Sequence, residues 1–148
     1  MTKSISPRNI VLYADDDTDD LELVTSSFEM YANNVEVITF RDGTEIVEYL
    51  NKRSDLDPHP CLIILDINMP LLNGKDALVK IRRMPQYESI PVVLFSTSSQ
   101  PNDGSFAKKY NAGFVTKPLE HAQMRVITDQ FIDHCSDEIK KNIRKFLQ

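Results

Sequence analysis

The chain has 148 residues, of which 41% are hydrophobic and 26% charged, and a net charge of −5. That length fits one domain with a sizeable core. The absence of a clustered Lys/Arg patch argues against nucleic acid as a partner, and no apolar run reaches the ~18 residues of a membrane span. Cys61 and Cys135 are far apart in the sequence and have no CxxC spacing, which reads as two reduced thiols in a cytoplasmic protein. Residues 1–7 lack an apolar centre, so they read as a short lead-in and not as a signal peptide.

Strand-like and helix-like stretches then alternate. Residues 9–14 are a buried strand, and Leu21, Val24, Phe28 and Tyr31 recur at helical spacing, which predicts a helix over 18–31. A second strand runs from Val35 to Phe40, after which Asp42 and Glu45 form a capping box for the next helix. Ile46, Val47 and Leu50 are that helix's inner face. Pro58 and Pro60 precede a strand over 61–65. Asn73-Gly74 is a turn that opens a helix carrying Ala77, Leu78 and Ile81. The fourth strand is 92–95, and Ser99 and Pro101 open a helix carrying Phe106, Ala107 and Tyr110. A fifth strand covers 113–116, followed by a helix with Met124, Ile127 and Phe131. Ser136 caps one more helix, with Ile139, Ile143 and Phe146 or Leu147 on one side.

Five strands each followed by a helix predict an α/β fold with a parallel sheet. The flavodoxin-like doubly wound order 2-1-3-4-5 fits the length. Residues 8–134 form the domain, and 135–148 form a C-terminal helical extension that either packs on the body or makes a dimer contact, leaving a monomer or a weak dimer.

In that order the first strand lies beside the third, so Asp15, Asp16 and Asp66 meet outside the carboxyl ends of the strands, where ligands bind. Two like charges about 4 Å apart repel by about 4 kcal/mol at an effective dielectric of about 20, so three carboxylates need a cation to stay ionised together. Oxygen-only ligands favour Mg²⁺. Ser96 and Lys117 end the fourth and fifth strands, and a hydroxyl and an ammonium beside carboxylates suit a phosphoryl group. Asp17, Asp19 and Asp20 read as helix N-terminal acids. An EF-hand starting at Asp15 fails, because its sixth position is Asp20 and its twelfth is Ser26. His59, His121 and His134 are scattered surface residues with no metal-ligand spacing.

The strand ending in Asp15-Asp16, the run Asp66-Ile67-Asn68-Met69-Pro70 with Gly74, the strand ending in Ser96, and Lys117-Pro118 together resemble the receiver domain of two-component response regulators. The resemblance implies that Asp66 is the phosphoacceptor. It implies that Asp16, Asp66 and the Asn68 carbonyl bind Mg²⁺, with Asp15 acting through a metal-bound water. Ser96 and Lys117 would each meet a phosphoryl oxygen, and Thr97 would sit at the donor entrance. Asn68 and Ser98 would tune water access. Ser96, Thr97 and Phe114 would be the switch, reshaping the face made by the fourth helix, fifth strand and fifth helix. The Lys117–Pro118 bond would be cis, as in the family.

The donor implied is a sensor histidine kinase or phosphotransfer protein. Output then goes through an unnamed target protein or through relay of the phosphoryl group to another histidine, the chain itself not being an enzyme. Two other readings stand beside this one. A haloacid-dehalogenase-type phosphatase also uses a strand-end Asp, Mg²⁺, Ser or Thr, and Lys. However, it carries Asp two residues after its nucleophile, whereas here that position is Asn68, which cannot transfer a proton. A pseudo-receiver that is never phosphorylated is the third.

Overall fold

Five parallel strands, β1 (Asn9–Ala14), β2 (Val35–Phe40), β3 (Leu62–Asp66), β4 (Val92–Ser96) and β5 (Gly113–Thr116), form one sheet in the order β2-β1-β3-β4-β5. This computed structural model describes residues 8–54, 56–97 and 100–145. The helices are α1 (Thr18–Ser27), α2 (Gly43–Asn51), α3 (Gly74–Arg82), α4 (Pro101–Lys109), α5 (Met124–Asp133) and α6 (Asp137–Arg144). The expected lead-in, the Ser99 cap, the tuning position Ser98 and the terminal Phe146 and Leu147 lie outside the described residues.

The central strands read as unbroken apolar runs because both faces of the sheet are covered. Leu12, Ala14, Ile63, Leu65 and Leu94 face α2, α3 and α4, where they meet Ile46, Leu50, Leu78, Ile81 and Ala107. Val11, Tyr13, Ile64, Val93 and Phe95 face the other way, toward Val24 of α1, Phe131 of α5 and Ile143 of α6. The period-two alternation of a strand sends neighbouring residues into these two separate layers.

Three details depart from the expected elements. The helix expected over 18–31 stops at Ser27, and Glu29–Tyr31 continue as a 3-10 turn. There the Ser27 hydroxyl donates to the Val24 carbonyl at 2.6 Å and the Phe28 N–H bonds back to Thr25, which tightens and ends the helix. β3 and β4 each extend one residue further than expected, to Asp66 and Ser96, so both polar residues are held in the sheet itself. The capping box of α2 is displaced by one residue. Asp42 accepts from the Glu45 N–H at 2.9 Å, but Glu45 accepts from the Arg41 N–H and not from that of Asp42.

α6 belongs to the body. Ile143 is fully buried, Arg144 pairs with Asp133 at 3.0 Å, and Asn142 accepts from Asn9 at 2.7 Å. The sequence-distant cysteines come into one apolar layer: Cys135 is buried there, Cys61 packs against it, and both are free thiols.

Arg82, the last residue of α3, holds the opposite edge of the sheet together. Its guanidinium donates to the carbonyls of Tyr110 (2.8 Å), Asn111 (3.0 Å), Ile90 (2.7 Å) and Tyr87 (3.3 Å). Those carbonyls belong to the loops that lead into β4 and β5. Asn111 adopts positive φ just beyond α4, the left-handed helix stop that Asn tolerates. Arg82→Ala strips these carbonyls of a charged donor and is expected to destabilise the protein by about 2–4 kcal/mol, read by urea unfolding. A change below about 0.5 kcal/mol would remove Arg82 from this role.

Candidate functional site

The carboxyl ends of β1, β3, β4 and β5 meet above the middle of the sheet. The Asp15 N–H donates to the Phe40 carbonyl at 3.0 Å, which fixes the end of β1 against β2. Its carboxylate turns inward and is fully buried, while Asp16 stays exposed. Asp66 ends β3 opposite Phe95 and is 5% exposed. Carboxylate oxygens of Asp15, Asp16 and Asp66 all lie within 4.8 Å of one another.

Gly74 makes the loop after β3 possible. Its N–H donates to the Ile67 carbonyl at 2.9 Å, and a Cβ there would overlap the Asp66 carbonyl. The chain therefore needs glycine where α3 begins against the end of β3. Leu71 turns the loop at a φ of 64° and is largely exposed.

Lys117 crosses from β5 to the acids. Its backbone N–H donates to the Ser96 carbonyl at 2.8 Å. Its Nζ donates to Asp15 at 2.8 Å and to Asp20 at 2.7 Å, and lies 3.5 Å from Asp66. Ser96 is fully buried opposite Thr116. The expected set of Asp15, Asp16, Asp66, Ser96 and Lys117 is thus brought to one edge. The Lys117–Pro118 bond, expected to be cis, is trans, as are all described peptide bonds; a prolyl bond differs little in energy between the two forms.

Asn68 and Thr97 are both exposed and line an open depression beside Asp66, together with Asn73 and Gln100. Lys75 pairs with buried Asp103 at 2.6 Å on its far side, joining α3 to α4. Phe114 is half-buried on β5, opposite Leu94 and two residues before Thr116.

Charge crowding shows in the proton affinities. Burial, reinforced by the Asp15 charge and opposed by Lys117, pushes the Asp66 carboxyl up to about 7. Burial would lower the Lys117 pKa, but its hydrogen bonds to Asp15 and Asp20 outweigh that and raise it. Burial and the neighbouring Asp15 raise the Tyr13 phenol well above its ordinary value, so it remains a donor, and its hydroxyl bonds Asp15 Oδ2.

Two contributors went unread in the sequence. Tyr13 lies two residues before Asp15, and strand periodicity gave a usable signal that their side chains share a face. Asp20 carried none that separates it from Asp19. Asp17 does what was expected of it, accepting from the Asp20 N–H at 3.1 Å as the cap of α1.

A family model described as the response regulator receiver domain matches residues 11–129. Response regulator Rcp1 of Synechocystis sp. is 30% identical over 105 residues, covering 70% of this chain and 71% of that protein. Among solved structures, the phosphorylated cyanobacterial phytochrome response regulator RcpA superposes with a TM-score of 0.77 at 26% identity, over 88% of this chain and 98% of that one. The Mn²⁺-bound form of response regulator Rcp1 gives 0.74 at 26% identity, over 82% and 90%.

Proposed function

The chain belongs to the response regulator receiver family, and from that membership we propose that it is a switch phosphorylated on Asp66 by a histidine kinase or phosphotransfer protein. One observation carries the reading. Asp66, a cation-competent cluster of acids and the Lys117 ammonium share a single site, with Nζ 3.5 Å from the acceptor carboxylate. That is what phosphoryl transfer to a carboxylate requires: a nucleophile, and positive charge where the transferred group's charge gathers.

In the step itself an Asp66 carboxylate oxygen bonds to phosphorus as the bond from phosphorus to the donor nitrogen breaks. The donor imidazole keeps that electron pair and takes a proton. Lys117 meets one phosphoryl oxygen and Ser96 another. Thr97 and Asn68 border the opening through which the donor enters.

The donor set fits a divalent cation, and Mg²⁺ is the ion proposed. Asp15 has both oxygens engaged, by Tyr13 and Lys117 on one and by the Asp17 N–H on the other. Asp16 and Asp66 are then the carboxylates left that would hold the ion directly, with the Asn68 carbonyl, while Asp15 would act through water. When bound, the ion would neutralise charge on the acids and on the incoming phosphoryl oxygens.

Output is assigned to the face of α4, β5 and α5. Phe114 and the Ser96–Thr97 segment connect the site to it, and Leu119 and Val126 are exposed on it beside Ile127 and Gln130. Family membership leaves the phosphatase reading unsupported. A pseudo-receiver is separated by direct test. Incubation with acetyl phosphate and Mg²⁺, followed by intact mass, should show one added phosphoryl group that needs Mg²⁺ and is absent in Asp66→Asn. Equal labelling of the variant would overturn the acceptor assignment. No adduct in wild type, together with no binding of beryllofluoride, would favour a pseudo-receiver.

A further inference from the structure

Lys117 is already occupied, and its occupant is Asp20. The ammonium has three N–H groups. Two make the short bonds to Asp15 and Asp20, and Asp66 lies further off at 3.5 Å. Its partners differ in freedom. Asp15 is fully buried and also held by the Tyr13 hydroxyl and the Asp17 N–H, so it cannot withdraw. Asp20 sits on the first turn of α1 with its side chain 29% exposed, and its carboxylate has no hydrogen-bond partner other than Lys117 among the described residues.

Resting on the proposed role of Lys117 as a phosphoryl ligand, we propose that Asp20 is a positioning residue that competes with the phosphoryl group for the Lys117 ammonium and so weakens the phosphorylated state. The third N–H is left for Asp66, but the short bond to Asp20 holds Nζ 3.5 Å from that carboxylate, so closing on a phosphoryl oxygen there means lengthening or giving up the Asp20 bond. Asp20 can release because solvent reaches it, and Asp15 keeps Nζ over the site during the exchange. The acid therefore sets how strongly the site holds a phosphoryl group without touching that group itself.

The test uses beryllofluoride, a phosphoryl mimic, titrated calorimetrically into the full chain at saturating Mg²⁺. Asp20→Asn keeps the shape and removes the charge, and should bind about three-fold or more tightly than wild type, as expected for freeing a charge-assisted bond. Asp20→Ala should do the same, which guards against a new contact made by the amide. Asp19→Asn removes an identical charge from the neighbouring, exposed position and should leave the affinity unchanged. Asp20→Glu should return it toward wild type, and thermal melts establish that each variant is folded. Equal tightening in Asp19→Asn and Asp20→Asn would reduce the effect to net charge and overturn the proposal. Unchanged or weaker binding in Asp20→Asn would overturn it as well. If wild type itself binds no beryllofluoride in Mg²⁺, the reading of Lys117 as a phosphoryl ligand falls and the competition with it; if wild type binds and the Asp20 variants match it, only the competition falls.

Discussion

Lys117→Met is expected to destabilise the metal-free protein by about 3–5 kcal/mol at pH 7.5, the cost of breaking a buried ion pair by deleting one partner, and to abolish the proposed phosphorylation of Asp66. Lys117 stands between Asp15, Asp20 and Asp66. Without it, the fully buried Asp15 faces Asp66 with no positive charge between them. Two remedies should work, and they give the prediction its signature. Saturating Mg²⁺ supplies the missing charge, so the deficit should shrink on its addition. Acid supplies a proton to the carboxylates, so the deficit should also shrink between pH 7.5 and pH 5. Urea unfolding of both proteins at the two pH values, with and without Mg²⁺, reads all of this. A deficit that ignores both metal and pH would mean that Lys117 stabilises by packing and not by charge.

Asp66→Asn should act in the opposite sense, making the metal-free protein more stable at pH 8 by about 1–3 kcal/mol. The folded Asp66 carboxyl ionises near 7 because it is buried beside Asp15, against about 4 for an unfolded aspartate. Between those values the folded chain holds a proton that the unfolded chain has released. The contribution of this group to stability is therefore fully present below about pH 4 and is lost as pH rises through about 7. At pH 8 the folded protein carries a crowded carboxylate that asparagine does not, and at pH 5 the advantage of the variant should largely vanish. Mg²⁺, the ion proposed for this site, should stabilise wild type strongly and the variant weakly, since the variant lacks one of the carboxylates proposed to hold it. Thermal melts at pH 5 and 8 measure it. A variant less stable than wild type at pH 8 would show that Asp66 is held by favourable contacts that outweigh its crowding. Stability surrendered at a binding site for the sake of its charge is the expected compromise of a functional centre.

Much of the site was legible because it lies at strand ends. Ile10-Val11-Leu12-Tyr13-Ala14 before Asp15 and Leu62-Ile63-Ile64-Leu65 before Asp66 are apolar runs stopped by acids. Any parallel order that sets β1 beside β3 then brings the acids together. Gly74 was visible as a turn, but its reason, the close approach to the Asp66 carbonyl, depends on two segments meeting. The end of α1 at Ser27 was missed because the apolar spacing runs on through Phe28 and Tyr31, which the 3-10 turn buries just as well.

By itself the sequence determined the five strands and the identities of the acids, the hydroxyl and the lysine at their ends, the order 2-1-3-4-5 being the doubly wound topology that fits the length. These follow from periodicity and from residue type at a strand end, both of which are local. Only the tertiary structure decided which carboxylates Lys117 takes and that Asp20 is one of them. Each is a pairing across tens of residues, fixed by side-chain direction and by competition for a limited number of donors, and no local pattern in the chain encodes how such a competition ends.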